Sequence, residues 1–170
     1  SVPNSELDHA RKGLRDSAVS ASQNGADVLI RINDPDDLAA DDIDAAVFDG
    51  VAAILVTKAR DADHVRAISA RVAKREANAG MRSGTIRLVP MIETAAAYFK
   101  AVEIGAADPR NVAMNLGGED FAADMGLVPG ADTLALAKQQ VAIAARATGL
   151  VPMGLMGTVA DFLDREGIKV

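Results

Sequence analysis

Short, nearly continuous apolar runs recur along this chain, and each leads into a longer stretch of helical periodicity. That alternation constrains the fold more than any other feature. A strand apolar on both faces needs cover on both faces, and parallel strands linked by helices supply it. Strands are expected at residues 27–33, 52–57, 86–92, 112–116 and 151–156, and helices at 5–23, 36–48, 62–79, 94–104, 134–148 and 159–166. Pro3 and Ser5 suit a helix start and Gly25 a stop. The second helix opens on aspartates, favourable at the positive end of its dipole. In the third, Val65, Ile68 and Val72 share a face, and Gly80 ends it.

The expected strand ends near positions 32, 57, 92, 116 and 155 give about 31 residues per βα unit, close to roughly 250 residues shared among eight. This spacing predicts a (β/α)8 barrel rather than an open, flavodoxin-like sheet, the alternative that the pattern alone leaves standing. The 170 residues supply five to six units, and the chain opens on a helix without a preceding strand. The expectation is therefore one partial barrel domain over residues 1–170, with first strands and a carboxyl-terminal end lying elsewhere, and a homo-oligomer once complete.

Charge narrows the function. Against 24 acidic residues stand 18 basic ones, scattered with no cluster longer than Ala73-Lys74-Arg75-Glu76, for a net charge of −6. That argues against a nucleic-acid partner and against an anionic membrane surface. No run approaches a bilayer span and no signal-peptide pattern opens the chain, so a cytoplasmic protein is expected. Without cysteine, a metal would have to be held by oxygen or by His9 and His64, both expected at the surface.

In parallel α/β barrels the active site lies at the carboxyl ends of the strands. The first expected strand ends in Ile30-Arg31-Ile32-Asn33, the second in Thr57-Lys58, the third in Met91-Ile92-Glu93-Thr94, and the fourth in Leu116-Gly117-Gly118-Glu119-Asp120. Arg31, flanked by apolar residues in a strand expected to be buried, needs an anionic partner. Its planar fork suits a substrate carboxylate, or else an internal salt bridge to a barrel acid. Glu93 and Asp120 end consecutive strands, which sets their backbones roughly 5 Å apart. Two such carboxylates repel unless a proton or a cation lies between them. Oxygen ligands suit Mg²⁺, with Mn²⁺ as the alternative ion; otherwise one acid caps a helix and the other pairs with Arg31 or Lys58.

Gly117 and Gly118 permit close backbone approach, and the amides after them can face an anion, though Gly-Gly also marks a tight turn. Lys58 suits either substrate charge or a rim salt bridge, and Glu119 a helix start. Met91, Met114, Met153 and Met156 read as core filler. Asp41, Asp42 and Asp44 read as a solvated helix face, and Tyr98 and Phe99 as packing. No residue is assigned as the general base.

Three words, Val28-Leu29-Ile30-Arg31-Ile32-Asn33, Val89-Pro90-Met91-Ile92-Glu93-Thr94 and Gly117-Gly118-Glu119-Asp120-Phe121-Ala122-Ala123-Asp124-Met125-Gly126, carry a resemblance that runs through essentially the whole chain. The sequence resembles the family of citrate lyase β-subunits and the related malyl-CoA and citramalyl-CoA lyases. The resemblance implies Mg²⁺ on Glu93 and Asp120, a substrate carboxylate on Arg31, and backbone amides at Gly118 and Glu119 that help bind it. It also implies cleavage or formation of a carbon–carbon bond between an acyl-CoA thioester enolate and a short 2-keto acid. Two departures stand out. Thr57-Lys58 replaces the family's usual Pro-Lys, and the family's Asp-Leu-Glu-Asp strand before Ser1 is not in the sequence, nor is the later acid that members give to a neighbouring subunit. A metal-dependent 2-keto-acid aldolase of the same superfamily is the nearest rival, although its usual Gly-Pro-x-Asp-Leu-Ser word is here Gly-Gly-Glu-Asp-Phe-Ala. A non-catalytic barrel subunit is the other alternative.

Overall fold

A computed structural model describes residues 4–34 and 36–154. Five parallel strands run in it, β1 (Val28–Arg31), β2 (Val51–Val56), β3 (Arg87–Ile92), β4 (Ala113–Leu116) and β5 (Val151–Met153). They pair strictly in chain order, β1-β2-β3-β4-β5. This order is decisive for the architecture. A doubly wound sheet reverses direction at a switch point, whereas a barrel adds each strand beside the last. The order is that of a barrel wall, and the flavodoxin-like alternative falls.

The helices follow the strands. Before β1 come α1 (Leu7–Lys12) and α2 (Leu14–Ser22); then α3 (Asp36–Ala46), α4 (Ala62–Asn78), α5 (Ala95–Phe99), α6 (Ala101–Gly105), α7 (Gly118–Asp124) and α8 (Ala131–Ala147). Gly80 (φ 68°) and Gly149 (φ 77°) close α4 and α8 with the same left-handed cap. In each, the next residue's amide reaches back five positions, Met81 to Glu76 O at 2.9 Å and Leu150 to Ala145 O at 2.8 Å.

Several boundaries differ from the sequence expectation. The expected first helix is divided at Gly13, where helix propensity is poor. The expected fourth is divided at Lys100, whose amide bonds three residues back to Ala97 O. The seven-residue α7 bears out Glu119 as a helix-start acid but had no expected span, since two turns are too few for a period to register. α8 begins at Ala131, ahead of position 134. The helix expected at 159–166, Met156 and the end of the fifth expected strand lie outside the described residues.

The sheet's two faces carry different work. Towards the helices, Ile54, Val56, Leu88, Ile92, Met114 and Leu116 join the large core with Ile43, Val65, Ile104, Leu134 and Val141. On the other face Ala53, Val89 and Ala113 form a small cluster with Leu55. Cover on both faces was expected of every strand, but the outer strands depart from it. Leu29, Arg31, Val151 and Met153 are exposed, so Met153 is not the core filler the sequence suggested. Each lies in β1 or β5, the two strands that pair on one side only among the described residues.

Candidate metal centre

The register brings the singled-out residues to one rim. Arg31 lies opposite Leu55, Val56 opposite Pro90, and Ile92 opposite Leu116. The ends of β1 to β4 therefore present Arg31, Thr57 and Lys58, Glu93, and Gly117 to Asp120 side by side. The neighbour across from Glu93 is Gly117, not Asp120. Asp120 stands in the first turn of α7, so the direct strand-end adjacency expected for the two acids is replaced by a reach from the helix.

Glu93 is 2 % exposed. Its Oε2 accepts the backbone N–H of Lys58 at 2.6 Å. Gly117 forms the opposing wall: a Cβ there would collide with Glu93 Cγ and stand 2.5 Å from Oε1. Gly117 has an ordinary φ of −78°, so it is glycine for room and not for conformation. Burial pushes the Glu93 carboxyl above its usual range; the Asp120 charge adds to this, while the Lys58 N–H and the Arg31 and Lys58 cations oppose it.

The main chain around Glu93 is tightly specified. Thr94 caps α5 by accepting Ala97 N–H at 3.2 Å. Asp124, from the far end of α7, accepts Ala95 N–H at 2.7 Å and ties that helix to α5. This is the helix-capping acid of the site; neither Glu93 nor Asp120 takes that part. Lys58 is, among the described residues, the one non-glycine with positive φ, at 47°. Such a backbone costs roughly 1–3 kcal/mol and tends to occur where function requires it.

Arg31 is exposed, not enclosed as its apolar neighbours suggested, because β1 has no strand on its other side among the described residues. Its strand end is anchored by a residue the sequence reading passed over. Asp42, 7 % exposed, accepts Asn33 N and Nδ2, both at 2.7 Å, and Arg11 Nε at 2.8 Å. It is therefore no part of a solvated face, although Asp41 and Asp44 are exposed as expected. The spacing of Asp41, Asp42 and Asp44 held a clue: position 42 falls beside Ala39, Ile43 and Ala46 on the buried side of α3.

Gly118 is buried, and a Cβ there would meet Leu134 Cδ1 at 2.9 Å, so its missing side chain serves the packing of α8. Glu119 is half-buried in the first turn of α7. Phe99 is 87 % exposed, contrary to a packing role, whereas Met91 and Met114 are buried as expected. His9 is exposed, and His64 is half-buried at the start of α4, where its backbone N–H donates to the Asp61 side chain.

The donor set fits a hard divalent cation. Among the described residues the buried Glu93 carboxylate accepts a single hydrogen bond and is faced by a second acid, so it carries negative charge without matching donors there. Among the described residues there is no cluster of three or more potential His, Cys, Asp or Glu ligands. An ion held by Glu93 and Asp120 would thus take its remaining ligands from water or substrate, as Mg²⁺ commonly does.

Comparison with known proteins agrees with this architecture. The model of the HpcH/HpaI aldolase/citrate lyase family matches residues 1–165. A citrate lyase subunit beta from Leuconostoc mesenteroides subsp. cremoris is 28 % identical over 165 residues, covering 95 % of this chain and 54 % of that protein. The L-malyl-CoA/beta-methylmalyl-CoA lyase of Rhodobacter capsulatus is 33 % identical over 135 residues, covering 68 % and 42 %. The chain thus spans about half the length of these relatives. A solved citrate lyase beta subunit from M. tuberculosis, complexed with oxaloacetate and magnesium, superposes with a TM-score of 0.69 at 25 % identity, over 98 % of this chain and 68 % of that one.

Proposed function

Because the chain belongs to the HpcH/HpaI aldolase/citrate lyase family, we propose that it carries the metal site of a Mg²⁺-dependent carbon–carbon lyase. The substrates are an acyl-CoA thioester and a short 2-keto acid such as oxaloacetate, glyoxylate or pyruvate. The observation that carries this reading is Glu93, a buried carboxylate with one backbone hydrogen bond, under the charge of Asp120 at the strand-end rim. The names of the relatives support it, since they include a malyl-CoA lyase and a citrate lyase subunit crystallised with oxaloacetate and magnesium.

Glu93 and Asp120 would hold the ion, which when bound supplies Lewis-acid polarisation of the keto oxygen. Arg31, open to solvent at the end of β1, binds the keto acid's carboxylate through its two-pronged guanidinium. Asp42 holds Asn33 by main chain and side chain, and so fixes the strand end from which Arg31 projects. Backbone amides at Gly118 and Glu119 add hydrogen bonds to the same carboxylate, and together these contacts orient the acid for attack.

Assaying the full-length protein with Mg²⁺ against citryl-, malyl- and citramalyl-CoA tests the reading. Turnover of any of them, lost on chelation, is the expected result. Cleavage of free 2-keto-acid aldols alone would replace it with the aldolase reading, and no turnover of either class would leave a non-catalytic subunit.

A further inference from the structure

Lys58 invites a role for its side chain, since it is a cation at the rim of an anion-binding site. The geometry points elsewhere. In a parallel ladder, the amide one step beyond a registered pair bonds to the partner's carbonyl, as Ile32 N–H does to Leu55 O next to the pair Arg31 and Leu55. Val56 lies opposite Pro90, so Thr57 follows opposite Met91 and the amide of residue 58 is due on Met91 O. Instead the amide of Ala59 occupies that carbonyl at 3.1 Å. The extra residue is accommodated by the left-handed backbone of Lys58, and its displaced amide donates to Glu93 Oε2 at 2.6 Å. Both flanks of this turn are fixed, because Thr57 Oγ1 donates to Ile32 O and the 59 amide is held by Met91. Lys58 itself is exposed, with its backbone, not its ammonium, hydrogen-bonded to the buried carboxylate.

We infer that the left-handed bulge at residue 58 is a positioning device that presets the Glu93 carboxylate by its backbone amide, independently of the lysine charge. The effect on Mg²⁺ rests on the metal-site reading above; the effect on the position of Glu93 does not. Against Gly117 on one side, the amide leaves the carboxylate a single seat. Glycine takes a left-handed backbone freely, alanine bears it about as lysine does, and a β-branched residue resists it strongly.

The test compares full-length Lys58→Gly, Lys58→Ala and Lys58→Val with the parent, by metal-free crystal structures and by Mg²⁺ titration calorimetry. Lys58→Gly and Lys58→Ala are expected to keep the contact between the residue 58 nitrogen and Glu93, with Mg²⁺ affinity within about twofold of the parent. Lys58→Val is expected to lose the contact and about tenfold or more in affinity, the usual scale for a group that orients a metal ligand. Affinity lost equally in all three would overturn the inference in favour of the ammonium, and so would a Val variant that keeps both contact and affinity. Should Lys58→Val fail to fold, the Gly and Ala variants decide alone, since loss of the contact in both refutes the backbone role. If the parent binds no Mg²⁺ while the contact follows the expected order, the metal reading fails and the positioning role stands.

Discussion

Two buried glutamates, Glu76 and Glu93, have opposite surroundings among the described residues. Glu76, fully buried, accepts Gly84 N–H (2.9 Å), Ile86 N–H (2.7 Å) and two bonds from Arg110 (3.0 and 2.7 Å). Burial alone would raise its carboxyl, but Arg110 and the two amides outweigh it and hold it below its usual range. Glu93 has one such bond, and burial wins. A carboxyl raised on folding favours the folded state while protonated, and that advantage disappears as pH climbs from its unfolded to its folded value. Glu93→Gln and Asp120→Asn are therefore expected to abolish metal-dependent turnover while metal-free melting at neutral pH stays equal or rises; a clear fall in melting temperature would make these acids structural. Gly117→Ala should displace the Glu93 carboxylate and weaken Mg²⁺ binding about tenfold or more, read by calorimetry. Arg31→Lys should keep Mg²⁺ affinity and raise KM for the keto acid, since an ammonium lacks the paired donors; an unchanged KM would remove Arg31 from the carboxylate.

At the scale of elements, α4, β3 and the turn before β4 are joined by one buried ion pair, far along the strands from the rim. Arg110 Nη1 also donates to Ile86 O at 2.9 Å, so the pair fastens the start of β3 as well as the end of α4. Glu76→Ala would leave a buried guanidinium without its partner, at a cost of about 3–5 kcal/mol in denaturant unfolding. Because the Glu76 carboxyl is lowered on folding, its contribution is present above the ordinary glutamate value of 4.5 and is lost as pH falls through the lowered one. Acid unfolding of Glu76→Gln should accordingly depend less steeply on pH than that of the parent. A stability difference that does not shrink in acid would assign the pair's effect to packing instead.

For the whole molecule the controlling fact is the strict 1-2-3-4-5 parallel order with β1 and β5 unpaired on their outer sides among the described residues. Free edges bearing exposed Leu29, Val151 and Met153 recruit further strands. The full-length protein is expected to close a (β/α)8 barrel. On its helical surface, Phe99, Val102, Leu136 and Ile143 are exposed, which favours a homo-oligomer. Sedimentation equilibrium together with a crystal structure checks both expectations; a monomer with an open five-stranded sheet would refute them.

The sequence by itself determined the parallel βα rhythm, the approximate seats of the five strands and the rim to which Arg31, Glu93 and Asp120 belong. Strands buried on both faces must be apolar throughout, and polar residues at their ends therefore stand out. It did not determine which acid is enclosed, that Gly117 rather than Asp120 lies across from Glu93, that Asp42 is buried under Arg11 and Asn33, or that Lys58 turns left-handed. Those outcomes depend on the sideways register of strands distant in sequence, on a helix of two turns, and on which atoms of separate elements meet. Periodicity encodes how each segment faces its own core. It carries no record of the neighbour at the next strand, and at this site the neighbour decides whether a carboxylate is paired, raised or free to bind a cation.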